Sequence, residues 1–349
     1  MIEQGLGGQT EFQVNLKLGL TPPLHLINVN HGGVAPAPAA VLDAMIRDLR
    51  FANVAPAYHM WDVLEPLIES VRRELARQIG CDPEEMAITR NASEAMQTLI
   101  AGLDLKRGDE VVVSDQSYPR MLTAWDQRAR RDGVVVKRIS LGGPNPPPED
   151  VVARFRGALT ERTRMVEITH VVNLTGNILP VRDVVALARE HGAETFVDGA
   201  HAFAHFPFRR DDLGCGYYAT SLHKWLLAPV GTGFLYVRKA SIPKIWPLMA
   251  AAESMSGDIR KFEEIGTHPA ANHNAIAAAR AMKPDGPGSH RAQDSGRVLQ
   301  TRPKSAVGGR SPAHGAPVGD GSLHRQDRID SPGRPGRCPG RASGRLTAG

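Results

Sequence analysis

Lys224 stands between hydroxyl and imidazole side chains and a long apolar run, in the stretch "TSLHKWLLAPVGTGFLYV" that begins at Thr220. An ammonium group at the mouth of such a segment has two readings. Its stem can cover apolar surface while its head stays in water. Alternatively it is held in a dry pocket, where desolvation disfavours the charge and leaves an amine able to act as nucleophile or base. Asp198 poses a similar choice, because it directly follows the apolar piece "ETFV" and a buried carboxylate is costly unless paired. Other polar groups stand where strand-like pieces end: Asn91, Ala92 and Ser93 after "MAIT", Tyr118 in "DQSYPR", Asn173 and Thr175 after "VEITH", and Ser221 with His223 beside Lys224. The start of a helix near Ser93 offers backbone N–H groups and a positive dipole end that suit a phosphate. Ordinary capping by Asn91 or Ser93 is the plainer explanation of that piece alone.

These groups act together only if the fold brings strand ends to one place. The chain alternates helix-like and strand-like pieces. "APAPAAVLDAMIRDLRF" and "LEPLIESVRRELARQIG" carry apolar residues at helical spacing, the second ending at Gly80. "MAIT", "DEVVVSD", "VVVKRISL", "TRMVEITHV", "ETFVDGA" and "FLYVRK" read as strands, with helices such as "SEAMQTLIAGL", "YPRMLTAWDQRARRDG" and "VRDVVALAREHG" between them. Short apolar strands separated by helices predict a mainly parallel α/β sheet covered on both faces. Ligands of such sheets bind where strands end and loops begin.

Composition narrows the function classes. The chain has 349 residues, enough for a large core. No run of apolar residues is long enough to span a membrane, and "MIEQGLGGQTEFQVN" lacks the pattern of a secretory signal. Three separated cysteines, Cys81, Cys215 and Cys338, give no metal-ligand spacing and fit a reducing compartment. A cytoplasmic protein is expected. The net charge is +5, yet twelve of the 42 Lys+Arg and five of the 37 Asp+Glu lie from Lys283 onward, which leaves 30 and 32 for residues 1–282. The body is near neutral, so no specific nucleic-acid partner is expected.

The end of the chain breaks the pattern. After Phe262 there is no aromatic residue and after Glu264 no Glu, and segments such as "SPGRPGRCPGRASGRL" have no apolar period. Such a composition does not offset an ordering entropy of about 1–2 kcal/mol per residue. Residues 283–349 are therefore expected to be a basic disordered tail. It is either a natural arm or the product of a shifted reading frame; the abandoned helix "NHNAIAAARAM" favours the latter. The rest divides into an N-terminal arm and substrate-side loop over 1–35, a large domain over 36–262 and the start of a small domain over 263–282.

One cofactor accounts for the polar strand ends at once. Pyridoxal phosphate needs a lysine for a Schiff base, an acid for its pyridinium nitrogen, a phosphate cup and a stacking side chain. The set "TRNASEA", "DQSYPRMLTAW", "HVVNLTGNILPV", "VDGAHAFAHFPF" and "TSLHKWLLAPVGTGFLYV" resembles the class V aminotransferase family of fold-type-I pyridoxal phosphate enzymes, and within it the isopenicillin N epimerase-like branch. The resemblance runs from residue 24 to about residue 280. It implies that Lys224 links to the cofactor and that Asp198 bonds the ring nitrogen. His201 and Asn173 would approach the ring's phenolic oxygen, and Tyr118 would stack on the ring. Ala92, Ser93, Ser221 and His223 would hold the phosphate. "EEIGTHPA" resembles the segment that reaches a neighbouring subunit, so Thr267 would serve the partner's phosphate and the functional unit would be a homodimer. The loop "INVNHGGVAPAP" places Gly32 and Gly33 near the substrate.

The resemblance fails at the C-terminus, where family members carry a small domain with an arginine for the substrate carboxylate. Here "RAMKPDGPGSH" stands instead, so that domain is truncated or replaced, and neither a tail arginine nor Cys338 is assigned a role. The implied chemistry is Cα epimerisation of an amino-acid substrate. Transamination and C–S cleavage remain alternatives within the family, and a catalytically impaired fold with a basic interaction tail remains one outside it.

Overall fold

The computed structural model describes residues 29–282; the arm over 1–28 and the tail over 283–349 lie outside the described residues. The order of elements alternates as the sequence predicts. Helix α1 (Ala39–Ala52) starts after Pro38, and α2 (Ile68–Ile79) ends at Gly80 in the left-handed region, φ 80°. The α-helix proper begins four residues after Leu64, later than the sequence pattern suggests. Pro66 has no N–H to donate, and the chain before Ile68 winds instead through a π-helical turn (Tyr58–Leu64) and a 3₁₀ turn (Glu65–Leu67). There follow β1 (Met86–Thr89), α3 (Ala92–Gly102), β2 (Glu110–Ser114), α4 (Pro119–Asp132) and β3 (Val135–Ile139). Then come α5 (Pro148–Ala158), β4 (Thr163–Thr169), α6 (Val181–Glu190), β5 (Glu194–Asp198), the short α7 (Arg210–Leu213), β6 (Tyr217–Ser221) and β7 (Gly233–Val237). Two helices, α8 (Ala270–Asn274) and α9 (Ile276–Met282), close the described chain.

The seven strands form one sheet in the order β1-β7-β6-β5-β4-β2-β3. Strands β2 to β6 run parallel, and β7 runs antiparallel to both of its neighbours. Central strands are buried almost throughout because both faces are covered. One face packs under α2, α5 and α6, with Leu75, Ile79, Phe155, Val184 and Leu187 against Val166, Ile168 and Tyr218. Ala275, Ile276 and Ala279 of the final helical segment join that same core beside Val41 and Ala44 of α1. The other face packs under α3 and α4, with Met96, Leu99, Met121 and Trp125 against Val111, Val113, Met165 and Phe196. The C-terminal ends of β1, β2, β4, β5 and β6 therefore open at one edge, where β7 begins.

Candidate active site

The register aligns the polar strand ends. Thr169 at the end of β4 faces Asp198 at the end of β5, Asp198 faces Ala219 on β6, and Ser221 faces Gly233 on β7. Asp198 is 4% exposed, and the N–H of Ala200 donates to its Oδ1 at 3.0 Å. Burial raises its pKa above the ordinary carboxylate value, opposed by that N–H and by the positive charge of Lys224. Lys224 follows β6 on a short loop. Its Nζ lies 2.8 Å from Nε2 of His201, which the turn after Asp198 presents. Burial lowers the pKa of Lys224, with Asp198 pulling the other way. Burial, then the neighbouring charges of Lys224 and His205, push His201 down to about 4. His201 is thus biased towards the neutral imidazole, beside an amine whose charged form burial disfavours.

The phosphate-like subsite is built from two elements. Asn91 caps α3 by accepting the Glu94 N–H at 2.8 Å, and the Ala92 N–H donates to Oγ of Ser221 at 2.9 Å. Gly233 makes this possible. A Cβ there would lie 2.6 Å from the Thr220 carbonyl oxygen and 2.8 Å from Cα of Asn91, so only glycine lets β7 start against the helix. Ser93 is half-buried in the first turn. Nδ1 of His223 lies 3.2 Å from the Thr232 carbonyl, and the His223 carbonyl accepts the Ala35 N–H at 3.0 Å, which ties the glycine loop to the lysine loop. A Cβ on Gly32 would meet Trp225 at 3.2 Å and Nδ1 of His201 at 3.5 Å. Gly33 follows, its N–H donating to Oδ1 of Asn30 at 3.0 Å.

Structure therefore links Lys224, His201, Gly32, Ala92, Ser221, His223 and Asp198 through direct contacts or adjacent strand ends. Tyr118 is half-buried at the cap of α4, on the same edge. Asn173 is exposed after β4. Thr267 is exposed as well, and it lines a separate cavity of about 310 Å³ with Trp61, Ile88, Glu263 and His273. Three features escape a reading of the sequence. His205, which is exposed, stacks face to face on the half-buried Trp225 at 3.7 Å. Trp225 is legible only as the aromatic neighbour of Lys224. Glu167 is a wholly buried carboxyl on β4, and its strand pattern carries no signal that separates it from a solvent-facing residue.

The arrangement complements a flat heterocycle with a basic nitrogen at one end and an anionic phosphate at the other. Asp198 suits the nitrogen, the start of α3 with Ser221 suits the phosphate, and the Lys224 amine suits a carbonyl carbon between them. Comparisons with known proteins agree. Over residues 27–279 the chain matches the family model described as aminotransferase class-V. It is 32% identical to isopenicillin N epimerase of Streptomyces clavuligerus, over 64% of this chain and 56% of that protein. It is 37% identical to isopenicillin N epimerase of Amycolatopsis lactamdurans, over 60% of this chain and 53% of that one. The chain thus spans little more than half the length of these curated relatives. Other relatives are described as a putative L-cysteine desulfhydrase and a probable cysteine desulfurase. Among solved structures, a C-DES mutant with glycine covalently linked to its PLP cofactor superposes with a TM-score of 0.67 at 23% identity, over 75% of this chain and 74% of that one, a likeness of fold. A doubly covered, mainly parallel sheet with its lysine, acid and helix start on one edge, and a family match along most of its length, make this chain a member of the class V aminotransferase family.

Proposed function

We propose that this chain binds pyridoxal 5'-phosphate at Lys224 and acts on an amino acid or amino-acid-derived substrate, with epimerisation at Cα as the reaction. The observation that carries the reading is the 2.8 Å contact between Lys224 and His201 over the buried Asp198. It sets an amine of lowered pKa beside the carboxyl that suits a ring nitrogen. When bound, the cofactor supplies an electron sink for the pair left behind when the α-proton departs. The residues of this chain do the rest. Asp198 holds a proton on the ring nitrogen, which keeps that sink effective. The Lys224 amine takes the α-proton from one face, work that needs an amine neutral part of the time, and epimerisation is completed when a proton is delivered to the opposite face. Ala92 N–H, Ser93, Ser221 and His223 hold the phosphate, Tyr118 stacks on the ring, and His201 with Asn173 orients the phenolic oxygen. Gly32 and Gly33 leave room for the substrate.

In this reading the functional unit is a homodimer in which Thr267 serves the partner's phosphate site. A second reading, cleavage of a C–S bond, is favoured by the desulfurase and desulfhydrase relatives. One experiment separates the outcomes. Purified protein supplied with pyridoxal phosphate should become yellow, and borohydride should fix the cofactor to Lys224, located by mass spectrometry. In deuterated water an epimerase exchanges the α-proton of its amino acid without releasing sulfur or ammonia, whereas C–S cleavage releases sulfur, together with ammonia when it proceeds by β-elimination. A colourless protein, or a label fixed at another lysine, overturns the assignment.

A further inference from the structure

Glu167 has no part in the roles assigned above. It lies on β4 two residues before Thr169, whose partner on β5 is Asp198, and opposite Phe196. Residues two apart on a strand share a face, so Glu167 lies on the Asp198 face of the sheet, under α4. It is 0% exposed. Trp125 of α4, equally buried, donates its indole N–H to Oε2. The hydroxyl of Ser117, in the loop before Tyr118, is the second polar neighbour. Oε1 has no hydrogen-bond partner among the described residues. The charged group that acts on Glu167 is Asp198, and Lys224 acts in turn on Asp198. A cation beside Glu167 would favour its ionisation, but none of the described residues supplies one.

We propose that Glu167 is a protonated carboxylic acid paired with Asp198, a positioning residue whose proton leaves Asp198 as the single negative charge that would meet the cofactor's ring nitrogen. The proposal rests on the functional reading above. Two carboxyls in one dry site do not both ionise. Asp198 has the Ala200 N–H and the Lys224 charge to favour its anion. Glu167 has only the neutral Trp125 indole and Ser117 hydroxyl and no cation, so the proton settles there. Burial, opposed by Trp125 and Ser117 and reinforced by Asp198, pushes Glu167 up to about 8. Above that pH a second negative charge arrives beside Asp198. It raises the proton affinity of the cationic nitrogens over the site, and the visible spectrum of the bound cofactor reports that change.

The test uses E167Q, whose amide carbonyl can still accept the Trp125 N–H, and W125F, which removes the donor favouring the anion. In infrared difference spectra of cofactor-free protein between about pH 6 and about pH 10, the wild type should lose the carbonyl stretch of a protonated carboxyl. E167Q should lack that band, and W125F should lose it at higher pH. In cofactor-loaded protein, absorbance should show an alkaline step with the same midpoint, absent in E167Q and displaced upward in W125F. Absence of the infrared band in the wild type, its survival in E167Q, or an alkaline step unchanged in E167Q overturns the pairing. Wild-type protein that takes up no pyridoxal phosphate overturns the functional reading instead, and the infrared bands then decide the protonation of Glu167 by themselves.

Discussion

Two buried polar clusters lie on different parts of the sheet, and they are built on opposite principles. At the edge β1, Arg72 is 0% exposed and donates to Glu69 at 2.9 Å, to Glu263 at 2.9 Å and to the Met86 carbonyl at 2.6 Å. Arg260 completes the network through Glu69, Glu84 and Asp258. Hydrogen bonds from Arg260, outweighing burial and joined by those of Arg72, hold Glu69 at about 2. Every charge there has a partner. At the site edge the shifts run the other way: burial lowers Lys224 and raises Asp198, and it leads the shift of Glu167 as well. One cluster uses charge to fasten residues 258–263 to the helix that carries Arg72 and to the first strand. In the other, burial disfavours the charged forms of Lys224 and Asp198. In the Arg72 cluster Glu69, Arg72 and Arg260 shift towards the charged form although burial raises Glu263, whereas at the site edge burial shifts both Lys224 and Asp198 towards the neutral form.

The contrast breaks most sharply at Arg72. Arg72→Met leaves Glu263 buried without its cation, and removal of one partner of a buried pair costs about 3–5 kcal/mol. Urea unfolding should show that loss while the cofactor spectrum of the remaining folded protein stays normal. A spectrum that changes with Arg72 would show the two clusters to be coupled. Asp198→Asn should do the reverse. Thermal stability is kept or improved, because a buried charge is removed, while α-proton exchange falls by about 10²–10³-fold, as for loss of one electrostatic contact of about 3–4 kcal/mol. Exchange at the parental rate would place the ring nitrogen elsewhere.

How much of this contrast is visible in the sequence depends on the chemistry of the neighbours. Lys224 and Asp198 are legible because each charged group adjoins an uninterrupted apolar run, which no solvated loop requires. Glu167 is not. In "TRMVEITHV" a single acid among alternating apolar residues matches a strand with one wet face, and only the covering of both faces turns it into a buried acid. The helix at Pro148–Ala158 is hidden by its prolines, which read as a turn although the last of them sits at the first helical position. The reversed direction of β7 was readable in principle. Residues 222–232 between β6 and β7 are too few for the crossover that parallel neighbours need, about a dozen residues or more with a helix. The Arg72 network joins positions 191 residues apart, and no local pattern announces such a pair.

Smaller effects sharpen the comparison. His170 lies beyond both clusters, edge-on to Phe206 and Phe208 at 5.4 and 4.9 Å. Burial pushes it down to about 4 from the ordinary 6.5. The unfolded chain therefore binds a proton that the folded chain refuses. Stability from this group is complete above about pH 6.5 and falls with acidification until about pH 4, by up to about 1.4 kcal/mol per pH unit. His170→Leu should flatten that limb of a stability-pH curve; an unaltered limb would assign it to another group. Below it, Glu69 adds a loss between its unfolded value of 4.5 and about 2, since its folded pKa is depressed. The smallest effect is at the exposed pair of Arg77 and Glu74. Arg77→Ala should move stability by less than about 0.5 kcal/mol, and a larger change would mean that surface charges, too, support the edge of the sheet.

The placement of β7 has a consequence for how the protein is made. Strand β1 pairs with β7 along Met86–Thr89 and Gly233–Val237, so the first strand to leave the ribosome has to wait for the last. Until Val237 has been synthesised, β1 has no neighbour in the sheet, and the start of α3 has no Gly233 to rest against. Contacts so distant in sequence close slowly, and nascent chains halted before β7 should show neither β1 protection from hydrogen exchange nor affinity for a phosphate-bearing ligand. The binding edge and the finished sheet are completed by the same late event, which ties ligand uptake to the end of folding.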